Sequence, residues 1–343
     1  MIGREPNQSY WAAKHVDLAA ELAVNNPYAR GFERLSDNYV VGPVDAWEGT
    51  GPEGGSLVVH GGYVYMFYAA FTSAMNLQIG WMRWPRAQFP LGTPERCGDN
   101  PIFAPGKQEG VDDLIVATPR VQQLANLSWR MDYHSLASGL SDLGCVAFCS
   151  AANFPGGPGD WVPYAGNPII PLGTAGEFDD LSIHNEITVY PDKTPDGLGH
   201  CFYGGAKTGI TGEYWRCGHK TSTDMLSWTN RGMCMVPHPG STWRPLGIHP
   251  TSGIVQRGSG YYMLTQGFTG STWHIGAFGS LDYFTWVEMP GNPVLSPRPG
   301  KWDAGAVEDP YLLEEDDGRV TILHISADTY LSTNYRLGAA RTL

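Results

Sequence analysis

Four carboxylates in this chain stand where acid–base chemistry could use them: Glu53 in "GPEGGS", Glu186 in "IHNEIT", and the adjacent Glu308 and Asp309 in "AVEDPY". Each lies at or near the opening of an apolar, strand-like run. Carboxyls that converge in a pocket can divide their roles. Burial and a like-charged neighbour keep one protonated as a proton donor, while another stays ionised to activate water or to attack. Arg120 in "ATPRV", His184 in "SIHNE" and His249 in "GIHPT" hold comparable places. Arg120 could hold an ionised carboxylate or grip a polar group, and the histidines could donate hydrogen bonds or a proton. His184 and Glu186 are two apart and share a face on a strand, whereas Glu308 and Asp309 point oppositely, so that only one faces a pocket. By contrast, "EEDDG" at Glu314 to Gly318 reads as an exposed hairpin turn.

A repeat can bring residues so distant in sequence together. "NPIFAPGKQEGVDDLIVATPRV" returns in outline as "NPIIPLGTAGEFDDLSIHNEITV" and as "NPVLSPRPGKWDAGAVEDPYLL". The spacing from Asn100 to Asp112, Asn167 to Asp179 and Asn292 to Asp303 is nearly constant. "STDMLSWT" and "SLDYFTWV" repeat Ser, Asp and Trp at identical offsets (Ser222, Asp224, Trp228; Ser280, Asp282, Trp286). Two weaker copies, "VDAWEGTGPEGGSLVVHGGYVYMFY" and "WRPLGIHPTSGIVQRGSGYYMLTQG", complete five units starting near residues 45, 112, 179, 244 and 303. A twisted four-stranded sheet cannot bury both faces alone, but radial packing of several does so.

The expected fold is therefore all-β: a five-bladed β-propeller of four-stranded antiparallel blades over residues 41–343, after a short N-terminal helical extension over 1–40. A β-sandwich would leave the return of one loop-plus-strand pattern per unit unexplained. In the extension, Val16, Ala19, Ala20 and Ala23 follow helical spacing, Ser9 is a candidate cap, and Asn25-Asn26-Pro27 stops the helix. That helix packs on the propeller or, alternatively, serves as an arm for a homo-oligomer.

Inner strands of a propeller start near its axis. Aligning the units on their Asp gathers Glu53, Arg120, His184, Glu186, His249, Glu308 and Asp309 around one mouth, with Asp45 and Glu48 as substitutes for Glu53. Trp47 and Trp243, just outside these positions, could offer flat faces to a sugar. Asp112, Asp179 and Asp303 are expected to bond loop amides, and Asp224 and Asp282 to form turns.

The net charge of −12 and the lack of any Lys/Arg run argue against nucleic acid as a partner. No stretch approaches the roughly 20 apolar residues that cross a bilayer, so no membrane partner is expected. The N-terminal stretch lacks the order of a secretory signal, which points to a cytoplasmic protein. The six cysteines show no CxxC spacing, against a zinc site. Cys145 and Cys149 would lie about 13 Å apart along one strand face, too far for a bridge. Reduced thiols are expected.

The chain resembles the five-bladed propeller glycoside hydrolases, the superfamily of families 32, 43, 62, 68, 117 and 130. The resemblance rests on "EDPYLLEEDDGRVTILH", on "TPRVQQLANLSWRMDYHS" and on the "SxDxxxW" strand ends, and runs from about Asp45 to the end. It implies a glycoside hydrolase that removes a terminal furanosyl or related sugar from an oligosaccharide, with acids supplied by inner strands of different blades. Blade one carries Pro52-Glu53-Gly54 and blade two Ala117-Thr118-Pro119, where families 32 and 68 carry Asn-Asp-Pro and Arg-Asp-Pro. Family 43 expects an acid on blade two, which is missing, although Glu186 fits its third acid. The resemblance is thus to the superfamily, not to one family. A glycoside phosphorylase on the same fold would need a phosphate cradle beyond Arg120, His184 and His249. A non-catalytic carbohydrate-binding propeller would show aromatics and amides in place of paired acids. No cofactor is expected, and no essential metal; a structural calcium near the axis, by His249, is what proteins of this shape allow.

Overall fold

Short alternating runs that end in glycine turns fold here as antiparallel meanders, and the meanders close into a ring. The computed structural model describes residues 8–72, 76–136, 142–209, 215–329 and 334–343, with side chains from Val16 onward except that of Asn185. Helix α1 (Gln8–Ala23) and strand β1 (Phe32–Arg34) come first; the side chain of Ser9, the candidate cap, lies outside the described residues. Blade one is β2 (Pro52–His60), β3 (Tyr63–Phe71), β4 (Leu77–Pro85) and β5 (Glu95–Arg96). Blade two is β6 (Ile115–Gln123), β7 (Trp129–Leu136), β8 (Asp142–Cys149) and β9 (Val162–Pro163). Blade three is β10 (Ser182–Val189), β11 (Gly199–Ala206), β12 (Arg216–Ser222) and β13 (Thr229–Met235). Blade four is β14 (Gly247–Arg257), β15 (Gly260–Phe268), β16 (Trp273–Ser280) and β17 (Val287–Glu288). Blade five is β18 (Ala306–Glu314), β19 (Val320–Ala327) and β20 (Arg336–Thr342), with β1 as its outer strand. The expected five-bladed propeller is the observed fold.

One boundary differs from expectation. β1 pairs antiparallel with β20, Phe32 opposite Thr342 and Arg34 opposite Ala340, so residues 32–34 belong to the propeller and not to a separate extension. This pairing ties the first strand to the last and closes the ring, and the outer edge it leaves on blade five is only the three residues of β1. Helix α1 lies against blade four: Leu22 is buried there, and its carbonyl accepts a hydrogen bond from the Tyr262 hydroxyl at 2.7 Å.

The repeated motifs act on backbone. Asn100, Asn167 and Asn292 each pair with one residue of the third strand of the blade they leave, accepting its N–H and donating to its carbonyl. The partners are Trp81 (3.1 and 2.9 Å), Val146 (2.9 and 2.9 Å) and Ala277 (2.8 and 2.8 Å). Three residues on, Phe103, Ile170 and Leu295 bridge Ile79, Gly144 and Ile275. Asn-Pro thus marks where the chain leaves one blade for the next. Asp224 and Asp282 form turns, as expected, each Oδ1 accepting two amides, from Leu226 and Ser227 and from Phe284 and Thr285. Of the three loop aspartates only Asp112 follows the expected pattern, accepting the Gln108 amide at 2.7 Å. Asp179 instead accepts from the Tyr203 hydroxyl, and Asp303 pairs with Arg34 and Arg298.

Apolar clusters fill the seams between blades. Phe67 and Ile79 meet Met131 and Trp161 between blades one and two, while Val146 meets Ile183 and Cys201 between two and three. Phe202 meets Met263 and Phe278 between three and four, Leu264 meets Ile322 between four and five, and Met66 meets Tyr311 and Leu323 between five and one. Each blade therefore buries both faces only in the company of its neighbours, which is why the ring folds as one unit.

Candidate active site

The inner strand of every blade is irregular at the same height. Pairing with the second strand breaks between Glu53 and Gly55, Ala117 and Arg120, His184 and Ile187, Pro250 and Ile254, and Glu308 and Tyr311. A bulge leaves a residue unpaired and re-aims its side chain; five of them form a ring of turned residues around the axis. The backbone is left-handed at three of these positions, Gly54 (φ 46°), Thr118 (φ 46°) and Asp309 (φ 43°). Gly54 is required twice over, since a Cβ there would stand 2.7 Å from Thr118 Cγ2.

Arg120 spans the centre. From blade two its Nη1 donates to the Gly55 carbonyl of blade one, its Nη2 donates to the Thr251 carbonyl of blade four at 2.5 Å, and its guanidinium lies 5.5 Å from the Tyr311 ring of blade five. Burial pulls its pKa down, opposed by the charges of Tyr311, Asp309 and Glu186. The guanidinium therefore serves first as a tie between blades. On its far side the axis opens into a cavity of about 590 Å³ lined by Gln122, Thr188, Gln256 and Glu314, all beyond the bulges.

Glu53 and Asp309 are neighbours across the seam between blades five and one. Burial, and then the negative charge of Asp309, push the Glu53 carboxyl up to about 8. Glu53 is half-buried, with Oε2 enclosed and unpartnered, while Asp309 is buried and its amide donates to Gln266 Oε1 at 2.7 Å. Glu308 is half-buried on β18 opposite Ile325. Of the adjacent pair, Asp309 is the one whose charge acts on Glu53 and Arg120.

Glu186 takes another direction. Its carboxyl is buried in the seam between blades two and three, so close to β8 that a Cβ on Gly144 would meet its Oε1 at 2.8 Å. Neither oxygen has a side-chain partner, and burial holds the carboxyl up at about 8. It is a protonated acid at neutral pH, away from the Glu53–Asp309 pair. The nearby Asp132 is already paired with Arg130 at 2.5 Å.

Three histidines gather at the end of the ring where the inner strands begin. The rings of His184 and His134 lie 4.1 Å apart, and those of His184 and His249 5.6 Å apart. Trp215 stands over both His184 (5.3 Å) and His249 (4.3 Å), and Trp273 lies 5.9 Å from His249. His134 Nδ1 shares a 2.7 Å hydrogen bond with Thr118 Oγ1. Burial, with neighbouring imidazoles, holds His134 and His249 well below the ordinary histidine pKa, so both are neutral. His134 and His184 meet tilted, and His249 meets His184, Trp215 and Trp273 edge-on. Among the described residues no three His, Cys, Asp or Glu side chains form a metal-ligand set.

The tryptophans named from sequence do not reach this mouth as expected. Trp243 is 2% exposed; its Nε1 donates to Glu288 at 2.7 Å and its ring covers Gly267 and Gly276, so it packs blade four and offers no face to a ligand. Trp47 is half-buried, packed on Tyr68 (5.3 Å) and over Gly80. Of the substitutes for Glu53, Glu48 is committed to Arg96, the Tyr68 hydroxyl and the amides of Val44 and Asp45. Trp215, Trp273, His134, Gln266 and Thr118 are the residues that sequence reasoning missed. His134 lay within the quoted "MDYHS", on a second strand, where the inner-strand alignment does not look.

No family model matches the chain, and no curated protein matches it in sequence. Solved structures do match. A protein described as a glycoside hydrolase superposes with a TM-score of 0.68 at 13% identity, covering 99% of this chain and 96% of its own. A thermostable family-43 glycoside hydrolase gives 0.65 at 16% identity over 88% and 91% of the two chains. A third, from work on the family 130 mannoside phosphorylases and the glycoside hydrolases among them that target β-1,2 mannosidic linkages in Candida mannan, gives 0.67 at 17% identity over 91% and 93%. The likeness is one of fold across nearly the whole ring: this chain is a five-bladed propeller of the kind on which those glycoside hydrolases are built.

Proposed function

We propose that the protein is a glycoside hydrolase that takes a terminal sugar of an oligosaccharide into the axial mouth and cleaves its O-glycosyl bond by carboxyl acid–base catalysis. The observation that carries this reading is the Glu53–Asp309 pair: two carboxyls on neighbouring inner strands, one of them raised to about 8 beside the negative charge of the other. Such a split assigns roles. Glu53, protonated at neutral pH, donates to the leaving glycosidic oxygen. Asp309, ionised, takes a proton from a water that attacks the anomeric carbon, with inversion. One proton leaves Glu53 for the leaving group and one passes from water to Asp309, so the reaction balances with water as the only co-substrate.

The remaining groups support a neutral, polyhydroxylated ligand. His134 and His249 are uncharged donors and acceptors suited to hydroxyls, His184 lies between them, and the half-buried Trp215 flanks His184 and His249 with a flat apolar face. Arg120, tied to two carbonyls, keeps the carboxyls in register. Glu186, closed into its seam, is assigned a positioning role in place of proton transfer.

The test is a panel of furanosidic and pyranosidic chromogenic glycosides, each assayed with and without inorganic phosphate. Release of free sugar without phosphate, with inverted anomeric configuration by proton NMR, is the expected outcome. A strict need for phosphate would make the protein a phosphorylase; sugar binding with no turnover on any substrate would make it a binding propeller.

A further inference from the structure

Cys217 on β12 and Cys234 on β13 sit side by side in blade three, with Sγ atoms 3.3 Å apart. Their meeting is built into the sheet. Cys217 pairs with Met235 and Gly218 with Met233, so Cys234 is the extra residue of a bulge that faces Cys217 across the ladder. Neighbouring antiparallel strands hold opposed Cα atoms about 4.5–5.5 Å apart, inside the span a disulfide bridges, and the two sulfurs need only close to about 2.05 Å. Both are thiols here. Cys217 is fully buried, whereas Cys234 is part-exposed and lines a surface groove with Val16, Ala19, Pro237 and His238.

We propose that Cys217 and Cys234 are a reversible dithiol–disulfide site, with Cys234 as the attacking thiol and Cys217 as the resolving one. The oxidant is a small-molecule disulfide such as oxidised glutathione. Cys234, as thiolate, attacks one sulfur of that disulfide; the external S–S bond breaks and one small thiol leaves. Cys217 then gives up its proton and attacks the Cys234 sulfur of the mixed disulfide, and the second small thiol leaves with the other electron pair. The protein loses two electrons and two protons, and the oxidant becomes two thiols. The division of labour follows from access: the groove reaches Cys234, and only its neighbour reaches Cys217. Burial raises the Cys217 thiol well above its ordinary pKa, so it stays a thiol while Cys234 makes the first attack. The other four cysteines, Cys97, Cys145, Cys149 and Cys201, make no such contact among the described residues. The new bond would tie the outer two strands of blade three and leave the inner strand β10 untouched.

The experiment treats the folded full chain with oxidised glutathione, removes the glutathione, blocks remaining thiols by alkylation in denaturant, and maps peptides by mass spectrometry without reduction. Expected is a mass lower by two hydrogens, a linked peptide pair containing Cys217 and Cys234, and four alkylated cysteines, all reverted by dithiothreitol. Cys234→Ser should abolish the linked pair and leave Cys217 alkylatable only after unfolding. Because the map on the unaltered protein needs no variant, it decides the matter even if that variant folds poorly. A glutathione adduct that persists on Cys234, alkylation of both residues after treatment, or a linkage to another cysteine would each overturn the proposal.

Discussion

Thr118 and Asp309 hold the same place in blades two and five: each opens the inner-strand bulge with left-handed backbone, φ 46° and 43°, and each is followed by a proline. Aspartate tolerates that conformation, but a β-branched threonine does not, and such strain costs about 1–3 kcal/mol. Thr118 is held there by packing on Gly54 and by the hydrogen bond its hydroxyl shares with His134 Nδ1. Strain of this kind concentrates where side chains are aimed at a site, and here it places a hydroxyl on a buried imidazole.

Two substitutions separate the strain from the hydrogen bond. Thr118→Val keeps the strained shape and leaves His134 Nδ1 without its partner, so stability should fall by about 1–3 kcal/mol. Thr118→Gly loses the same bond and releases the strain, so it should be the more stable of the two by at least about 1 kcal/mol. Urea denaturation of both variants checks the order, and the reverse order would show that the left-handed backbone at Thr118 is unstrained.

The Glu53–Asp309 pair makes a kinetic prediction. With Glu53 as proton donor at about 8, kcat/KM should hold up to that pH and fall above it as Glu53 ionises. Glu53→Gln should lower kcat/KM by about 10²–10⁴ on substrates with poor leaving groups and remove the alkaline limb. Asp309→Asn takes away the charge that helps raise Glu53, so the alkaline limb should move to lower pH in whatever activity remains. Initial rates across pH 5–10 measure all three. An alkaline limb that stays in place in Asp309→Asn would separate the two carboxyls functionally.

Much of this was legible from sequence because the repeating residues act on backbone. Asn100, Asn167 and Asn292 each clamp a third strand, and Asp224 and Asp282 each knot a turn, so their spacing had to follow the blades. The mouth was legible only on inner strands, which is how Glu53, His184, His249 and Asp309 came into view. His134 and Gln266 come from second strands and Trp215 from the opening of a third, where no repeated motif marks the residue that leans over the axis. Glu186 was misleading for a definite reason. Its bulge breaks the two-residue alternation that would have put it on the face of His184, and turns it into the seam toward Gly144. Trp243 looked available because its covering partners are glycines, Gly267 and Gly276, whose role is to leave room for the ring.

Glu186 carries a stability prediction whose sign follows from proton linkage. Its folded carboxyl is raised to about 8, so between the ordinary glutamate value and 8 the folded protein holds a proton that the unfolded chain has released. Its contribution is fully present below about pH 4.5 and is lost as pH rises through about 8. Glu186→Gln keeps the neutral shape at every pH. The variant should match the parent Tm at pH 5 and exceed it at pH 8.5. Differential scanning calorimetry at the two pH values is the check, and a lower Tm for the variant at pH 8.5 would mean that the carboxylate is favoured in the seam.

Gly204 offers a way to move one imidazole without touching any acid. It lies on β11 opposite His184, and a Cβ there would stand 2.8 Å from His249 Cε1 and 2.9 Å from Nδ1. A ring cannot absorb that approach as a flexible side chain would, and His249 is hemmed in by Trp215 at 4.3 Å. Gly204→Ala should therefore displace His249 toward the mouth. The backbone at Gly204 is not left-handed, so the substitution adds no conformational strain of its own, and the loss of stability should stay within about 1–3 kcal/mol, as for other overpacked sites. If His249 holds substrate hydroxyls, KM should rise by about tenfold or more while the alkaline limb set by Glu53 stays at its pH. Gly218→Ala, where a Cβ would meet Tyr203 and Phe178 instead, controls for overpacking of the same blade. Equal rises in KM for the two variants would assign the effect to blade three as a whole and remove His249 from the binding surface.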